Sequence, residues 1–246
     1  MIKDDAIVLR RLDYSETSQV LAIFTRGHGQ QRVIAKGIKR STKQRASVGI
    51  DLLELGSVVI FQRSGHEDRM GTITEWQQRT TFPHVRADLI RWHAAQYAAE
   101  AVAQLTEVHD PHALLFDALA TFLDRLKQEE PLSILDQFLW SMLAQIGLRL
   151  DLSRCMSCGN DWGGPVVYFS SREGGTICRD CEPNHVEKRR IDPAAARALM
   201  AERMGSPREA AAAFGLLDYH LTEIVGRPLR LSAPLKTSLR AHPITG

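Results

Sequence analysis

Along roughly the first eighty residues, apolar positions recur at strand-like intervals broken by turn residues. Ala6 to Leu12 is a mostly apolar run, and Val20, Ala22 and Phe24 fall on one side of a second. In Gln31 to Ile38, Val33 and Ala35 alternate against Arg32, Ile34 and Lys36, and Gly27-His28-Gly29-Gln30 supplies the turn before it. Ser57 to Ser64 and Met70 to Arg79 predict a fourth and a fifth strand, the last with Thr72, Thr74 and Trp76 on one face and Ile73 and Glu75 on the other. Five strands in about eighty residues predict a small closed barrel. The five-stranded Greek-key oligonucleotide-binding (OB) barrel is the leading candidate and an SH3-like barrel the alternative. Lys39 to Gly56 is too polar for a core strand and predicts an exposed, partly mobile loop.

From His84 onward the period becomes helical. Leu115, Ala118, Leu119, Phe122 and Leu126 repeat at three- and four-residue spacing, as do Ile134 or Leu135, Phe138 or Leu139, Met142 or Leu143, and Ile146. Asp110-Pro111 and Glu130-Pro131-Leu132-Ser133 supply breaks and helix starts, and Gly147 lies near the end of the helix that follows. Val85 to Leu105, Ala-rich and apolar on more than one side, predicts a central buried helix. Pro193 to Met204 and Pro207 to Val225 predict two more, ahead of a basic end at Gly226-Arg227-Pro228-Leu229-Arg230 and Lys236. The fold class is therefore α+β and multidomain: an OB barrel over residues 1–82, a helical domain over 83–152 and 185–246, and a four-cysteine segment over 153–184 inserted in it.

Composition sharpens this picture. The chain has 246 residues, 44% of them hydrophobic, enough for a sizeable core, and its apolar runs fall short of a membrane span. Met1-Ile2-Lys3-Asp4-Asp5 lacks the profile of a secretory signal, so a cytoplasmic address is expected. The net charge of +2 hides an uneven distribution: from Thr17 to Ile50 there is no acid, while Arg26, Arg32, Lys36, Lys39, Arg40, Lys43 and Arg45 give +7. A positive field held by one module suits a polyanion such as a sugar-phosphate backbone. Tyr14, Phe24, Phe61, Trp76 and Phe82 are the aromatics of the module, most of them better explained as core, so binding is expected to be mainly electrostatic.

Cys155-Met156-Ser157-Cys158 and Cys178-Arg179-Asp180-Cys181 stand 19 residues apart. Two residues between thiolates let one tight turn aim both sulfurs at one metal, and Gly159 relieves that turn. Four thiolates predict a structural Zn2+, one per chain, with no open position for substrate. Iron in the same shell and a redox pair are the alternatives. Tyr168-Phe169 and Gly174-Gly175 predict a small hairpin covering the metal.

Chemistry has little else to build on. No Gly-x-x-x-x-Gly-Lys-Ser/Thr string occurs. Asp4-Asp5 and Glu129-Glu130 sit at a terminus and a helix boundary, where solvation or the helix dipole explains them, and His93 and His109 have no spaced acidic partner. An enzyme is not expected.

Ala6-Ile7-Val8-Leu9-Arg10-Arg11-Leu12-Asp13-Tyr14-Ser15-Glu16-Thr17-Ser18, Phe24-Thr25 with His28-Gly29, and Ala35-Lys36-Gly37-Ile38-Lys39-Arg40 closely resemble the start of the bacterial recombination mediator family RecO. Phe138 to Leu143, Ile146-Gly147 and Asp151-Leu152 ahead of Cys155, Gly174-Gly175 before Cys178, and Gly226-Arg227-Pro228-Leu229 extend the likeness over essentially the whole chain. Leu231-Ser232-Ala233-Pro234 departs from it, because the family usually continues there with a basic stretch. The resemblance implies a non-enzymatic, nucleoid-associated mediator of DNA repair and recombination in the RecF pathway. Such a protein binds single- and double-stranded DNA and anneals complementary strands. It engages the acidic C-terminal tail of single-stranded DNA-binding protein and acts with RecR to help load RecA. By matched position it makes Lys36, Lys39 and Arg40 the leading phosphate contacts, with Arg10, Arg32, Lys43 and Arg45 behind them. Arg125, Lys127 and Arg149 are candidates for the partner's tail. An interaction scaffold, whose basic barrel meets an acidic protein, is the competing function.

Overall fold

The computed structural model describes residues 1–38, 49–62 and 70–241. They form two compact units, Met1–Ala87 with Val102–Asp124, and Asp88–Ala101 with Arg125–Gly246. Compactness and periodicity divide the chain differently: the period changes near residue 83, yet a later helical segment clusters with the strands.

In the first unit, β1 (Ile2–Asp13), β2 (Gln19–Thr25), β3 (Gly29–Ala35), β4 (Leu55–Phe61) and β5 (Gly71–Thr80) close into a barrel in the order β1-β2-β3-β5-β4. Neighbours run antiparallel except β3 and β5, where Val33 opposes Gly71 and Ile34 opposes Thr72. This Greek-key order is that of the OB fold. Ala6, Val8, Leu21, Ile23, Val33, Val58 and Ile60 fill the interior and are essentially inaccessible to water. Each Val, Leu or Ile among them contributes about 1.5–3 kcal/mol, so the closed sheet supports itself.

Helix α2 (Ala113–Arg125) belongs with the barrel through contacts distant in sequence. Its Phe116 ring packs against Phe24, 6.0 Å between centroids. Arg26 donates to both oxygens of Asp117 at 2.9 and 2.8 Å. The Gln30 amide donates to the carbonyl and hydroxyl of Thr106, and the His109 N–H donates to the Gln30 carbonyl. Gly29 makes room for this connection: its φ is +65°, and a Cβ there would stand 2.2 Å from the Asp110 carbonyl oxygen.

The second unit centres on α1 (Leu89–Leu105), whose Ala94, Ala95, Tyr97, Ala98, Ala99 and Ala101 are buried, as its composition predicts. Around it stand α3 (Pro131–Gln145), α4 (Pro193–Met200), α5 (Pro207–Val225) and α6 (Ser232–Ala241). Glu130, Asp192 and Ser206 accept first-turn N–H groups of α3, α4 and α5, and each precedes a proline whose missing N–H costs nothing there. The expected helix to Met204 stops at Met200, where the chain reverses through Glu202 at φ +51°. The basic end is ordered: Asp218 accepts from Tyr97, Ser232 and Lys236 and ties α6 to α1 and α5. No helix among the described residues is long and apolar enough to cross a membrane.

Candidate nucleic-acid interface and metal centre

The outer face of the barrel is set by register. Arg10, Ala22 and Arg32 are cross-strand partners on β1, β2 and β3, and so are Leu12, Val20 and Ile34. The intervening Leu21 and Val33 point into the core, so these two rows point outward. A bulge makes this possible: the β1 register shifts between Val8 and Arg10, so Val8 faces inward while Arg10 and Leu12 face solvent. Strand spacing separates the Arg10 and Arg32 backbones by roughly 10 Å across Ala22. One row further, the Tyr14 N–H donates to the Ser18 carbonyl at 3.0 Å, and Lys36 follows β3.

The side chains of Arg10, Arg32 and Lys36 are exposed and have no ion-pair or hydrogen-bond partner among the described residues. Lys39, Arg40, Lys43 and Arg45 lie outside the described residues. Arg26 is different. Its guanidinium is engaged by Asp117, whose carboxyl it holds below the usual carboxylate range, so the +7 of the acid-free window overstates the free charge. Asp4 and Asp5 are not a solvated terminal pair: Asp4 accepts the Gly27 N–H at 2.8 Å and lies 2.6 Å from His28 Nδ1, while Asp5 accepts from Arg79 at 2.7 Å. Most of the module's aromatics are core, as expected, with Trp76 packed against the barrel interior. Phe24 and Phe82 are buried and Trp76 is half-buried, but Phe61 is 52% and Tyr14 68% exposed.

The cysteines sit on a second sheet, of order β6-β8-β7-β9, made from β6 (Asp151–Cys155), β7 (Val167–Ser170), β8 (Gly175–Cys178) and β9 (Arg189–Ile191). β6 delivers Cys155 into a tight turn closed by the Gly159 N–H on the Cys155 carbonyl at 2.8 Å, with Gly159 at φ +74°. β8 delivers Cys178, whose N–H donates to Cys155 Sγ at 3.3 Å. The four sulfurs lie within 4.8 Å of one another, and those of Cys158 and Cys178 are 3.9 Å apart. A tetrahedron with metal–sulfur bonds of about 2.3 Å has edges of about 3.8 Å, so the donor set fits one ion. Burial pushes the Cys155 thiol up, but the N–H groups of Cys178, Cys158 and Ser157 outweigh it and bring it down to about 6. Hydrogen bonding to Cys178 moves Cys181 the other way, to about 12. The four cysteines are thus positioned to bind a metal ion.

The β7–β8 hairpin was expected to cover the metal; its open end reaches the sulfurs and its turn docks elsewhere. Glu187 accepts from Ser170, from the N–H groups of Ser171 and Arg172, and from the Tyr219 hydroxyl of α5. Ser171 Oγ lies 2.7 Å from His220 Nδ1, and the His220 ring stands edge-on to Phe169. Desolvation lowers the His220 pKa to about 4, so the ring is neutral here. Sequence reading missed this docking set because Glu187 and His220 carry no spacing signal.

Of the three cations proposed for a partner's tail, Arg125 donates to Glu129 at 2.6 and 2.7 Å and to Gln137 at 2.9 Å. Lys127 is exposed. Arg149 lines a pocket with Trp140 and Met200 and with the carboxylates Asp151 and Glu202. His93 and His109 make structural hydrogen bonds, to Ser238 Oγ and the Gln31 amide.

Two family models match the chain. Residues 1–82 match "Recombination protein O N terminal", and residues 86–233 match "Recombination protein O C terminal". Among curated proteins, the DNA repair protein RecO of Bacillus pumilus is 31% identical over 200 residues, covering 81% of this chain and 75% of that protein. That of Alkaliphilus metalliredigens is 33% identical over 187 residues, covering 74% and 72%. The protein of that name in Anaeromyxobacter dehalogenans strain 2CP-C is 31% identical over 237 residues, covering 89% and 91%.

Proposed function

The chain belongs to the RecO family of DNA repair proteins, and from that premise we propose that it is a recombination mediator. It binds single- and double-stranded DNA, anneals complementary strands, and acts with RecR and single-stranded DNA-binding protein to help load RecA. It works in the cytoplasm, on the nucleoid, and turns over no substrate. The observation that carries this reading is the outward row of Arg10 and Arg32, with Lys36 beyond it, none committed to a carboxylate among the described residues. Annealing brings two like-charged backbones together, and cations that meet phosphate without reading base edges lower that repulsion for any sequence.

The metal of the four-thiolate site is zinc, held by Cys155, Cys158, Cys178 and Cys181. A closed thiolate shell supplies structure and leaves no position for a reacting group. For the acidic tail of single-stranded DNA-binding protein, Arg149 is the candidate over Arg125 because Arg125 is already engaged by Glu129; the Arg149 pocket holds Trp140 and Met200 but also Asp151 and Glu202, so any tail there would have to approach on the Arg149 side. The domains are the barrel over residues 1–82 and a helical domain over 83–152 and 185–246, with the four-cysteine segment 153–184 inserted in it, a division in line with the two family matches at 1–82 and 86–233.

The test is strand annealing and DNA affinity over a salt series, for the wild type and an Arg10, Arg32 and Lys36 triple alanine variant. On single strands the variant should lower the slope of log affinity against log salt by about 2, at about 0.7 per lost contact. A wild type that neither binds nor anneals DNA at low salt would overturn this reading and leave the basic face to an acidic protein.

A further inference from the structure

Tyr14 is the most exposed aromatic ring among the described residues of the barrel, at 68%, and Leu12, two residues before it, is 66% exposed. Its backbone is nevertheless fixed. The Tyr14 and Ser15 N–H groups both donate to the Ser18 carbonyl, at 3.0 and 3.3 Å, and the Ser18 N–H donates to Ser15 Oγ. The ring is thus held out on an ordered turn, and it has no partner among the described residues. A tyrosine ordinarily buries its ring. Here it ends an apolar strip, Leu12–Val20–Ile34, with Arg10 and Arg32 along one side and Lys36 on its own side.

We infer that Tyr14 is a base-stacking platform and that this face of the barrel grips unpaired rather than paired nucleic acid. The inference rests on the DNA-binding reading and goes beyond its electrostatics. From Arg32 to Lys36 the cations span roughly 13 Å along β3, leaving the strip and the ring between them. Cations bordering an apolar strip complement a chain that carries phosphates on one side and flat apolar rings on the other. A single strand has that build. A duplex hides its base faces in the stack and offers the strip nothing to cover it. The first loop and the second and third strands of an OB barrel are also where oligonucleotides bind in this fold. Stacking tolerates any sequence, because every base has a π-face.

The experiment measures affinity by fluorescence anisotropy for three probes of equal length: a thymidine single strand, the same strand made abasic, and a duplex. Tyr14→Ala should weaken the thymidine strand roughly 5- to 100-fold without changing its salt slope, while Tyr14→Phe, which keeps the ring, stays within about twofold. The abasic strand and the duplex should be bound by Tyr14→Ala as by wild type. Arg10→Ala with Arg32→Ala should instead lower the salt slope by about 1.4 on single strands, with or without bases. If wild type binds the thymidine strand and Tyr14→Ala binds it equally well, the inference falls, the DNA reading stands, and the ring is left to a protein partner. If Tyr14→Ala weakens the abasic strand just as much, the residue acts through the loop and the inference also falls. A wild type that binds none of the probes removes both.

Discussion

The barrel and the four-cysteine sheet are both small β structures, and they are held by opposite means. Barrel strands run from 7 to 12 residues and enclose a continuous aliphatic interior. The strands of the cysteine sheet have 3 to 5 residues and bury little beyond Leu152, Val167, Phe169 and Ile177. Its coherence comes from the sulfurs at one end and from the Glu187 and His220 contacts at the other. Closing a sheet on itself removes the need for ligands; a sheet too short to close must be tied from outside.

Removing the metal, by chelation or by Cys155→Ser, tests this contrast most severely, because on the order of 10 kcal/mol of folding energy is linked to such sites. Hydrogen exchange should report lost protection in β6 to β8 with β1 to β5 unchanged. Barrel amides that lose protection as well would break the comparison. Gly29→Ala attacks the other side. With φ at +65° and a Cβ 2.2 Å from the Asp110 carbonyl oxygen, it should cost about 3–4 kcal/mol in chemical denaturation and leave metal content intact. A cost under about 1 kcal/mol would mean the Asp110 backbone yields easily.

His220 sharpens the account of how the cysteine sheet docks. Its pKa falls from 6.5 to about 4 on folding because burial disfavours the charged ring. The stability it allows is whole above pH 6.5 and is lost as pH drops toward 4, by about 3 kcal/mol in all. His220→Phe should flatten that acid limb of the melting profile, and an unchanged limb would acquit the residue. Asp136, buried in α3 with neither oxygen partnered among the described residues, shifts the opposite way: burial keeps its carboxyl protonated well above its ordinary 3.8. Its cost is absent below that pH and grows as pH rises toward the folded value. Asp136→Leu should therefore stabilise the helical unit by about 1–3 kcal/mol at pH 7 and much less at pH 3, measured by urea midpoints. Equal gains at both values would show that the benefit is packing alone.

How much of this was legible depended on distance along the chain. Strand alternation such as Val33 and Ala35 against Arg32, Ile34 and Lys36, and the spacing of the four cysteines, are local patterns, and the structure follows both. The cap-then-proline starts of α3, α4 and α5 are local too. The union of α2 with the barrel was not legible, because it rests on Phe24 meeting Phe116 and on Arg26 meeting Asp117 across 91 positions. The same pair explains why a count of cations overstated the free charge. The exposure of Tyr14 was missed for a related reason: ring burial depends on which neighbours the register brings, and the bulge in β1 is invisible to composition. β9, with Arg189 and Arg190 leading it, has no apolar pattern to find.

That bulge has an evolutionary consequence. Because Leu9 is the extra residue in β1, it sets which half of the remaining strand is wet. Were Leu9 itself to pair with Ala22, Arg10, Leu12 and Tyr14 would turn toward the aliphatic interior and Arg11 would come out, exchanging an outward cationic row for a buried charge without altering any amino acid. Substitutions along this segment can be absorbed one at a time, but a slip of its register cannot. Among descendants of this chain, a one-residue gap should therefore be found at Leu9, where it restores plain alternation, rather than between Arg10 and Asp13.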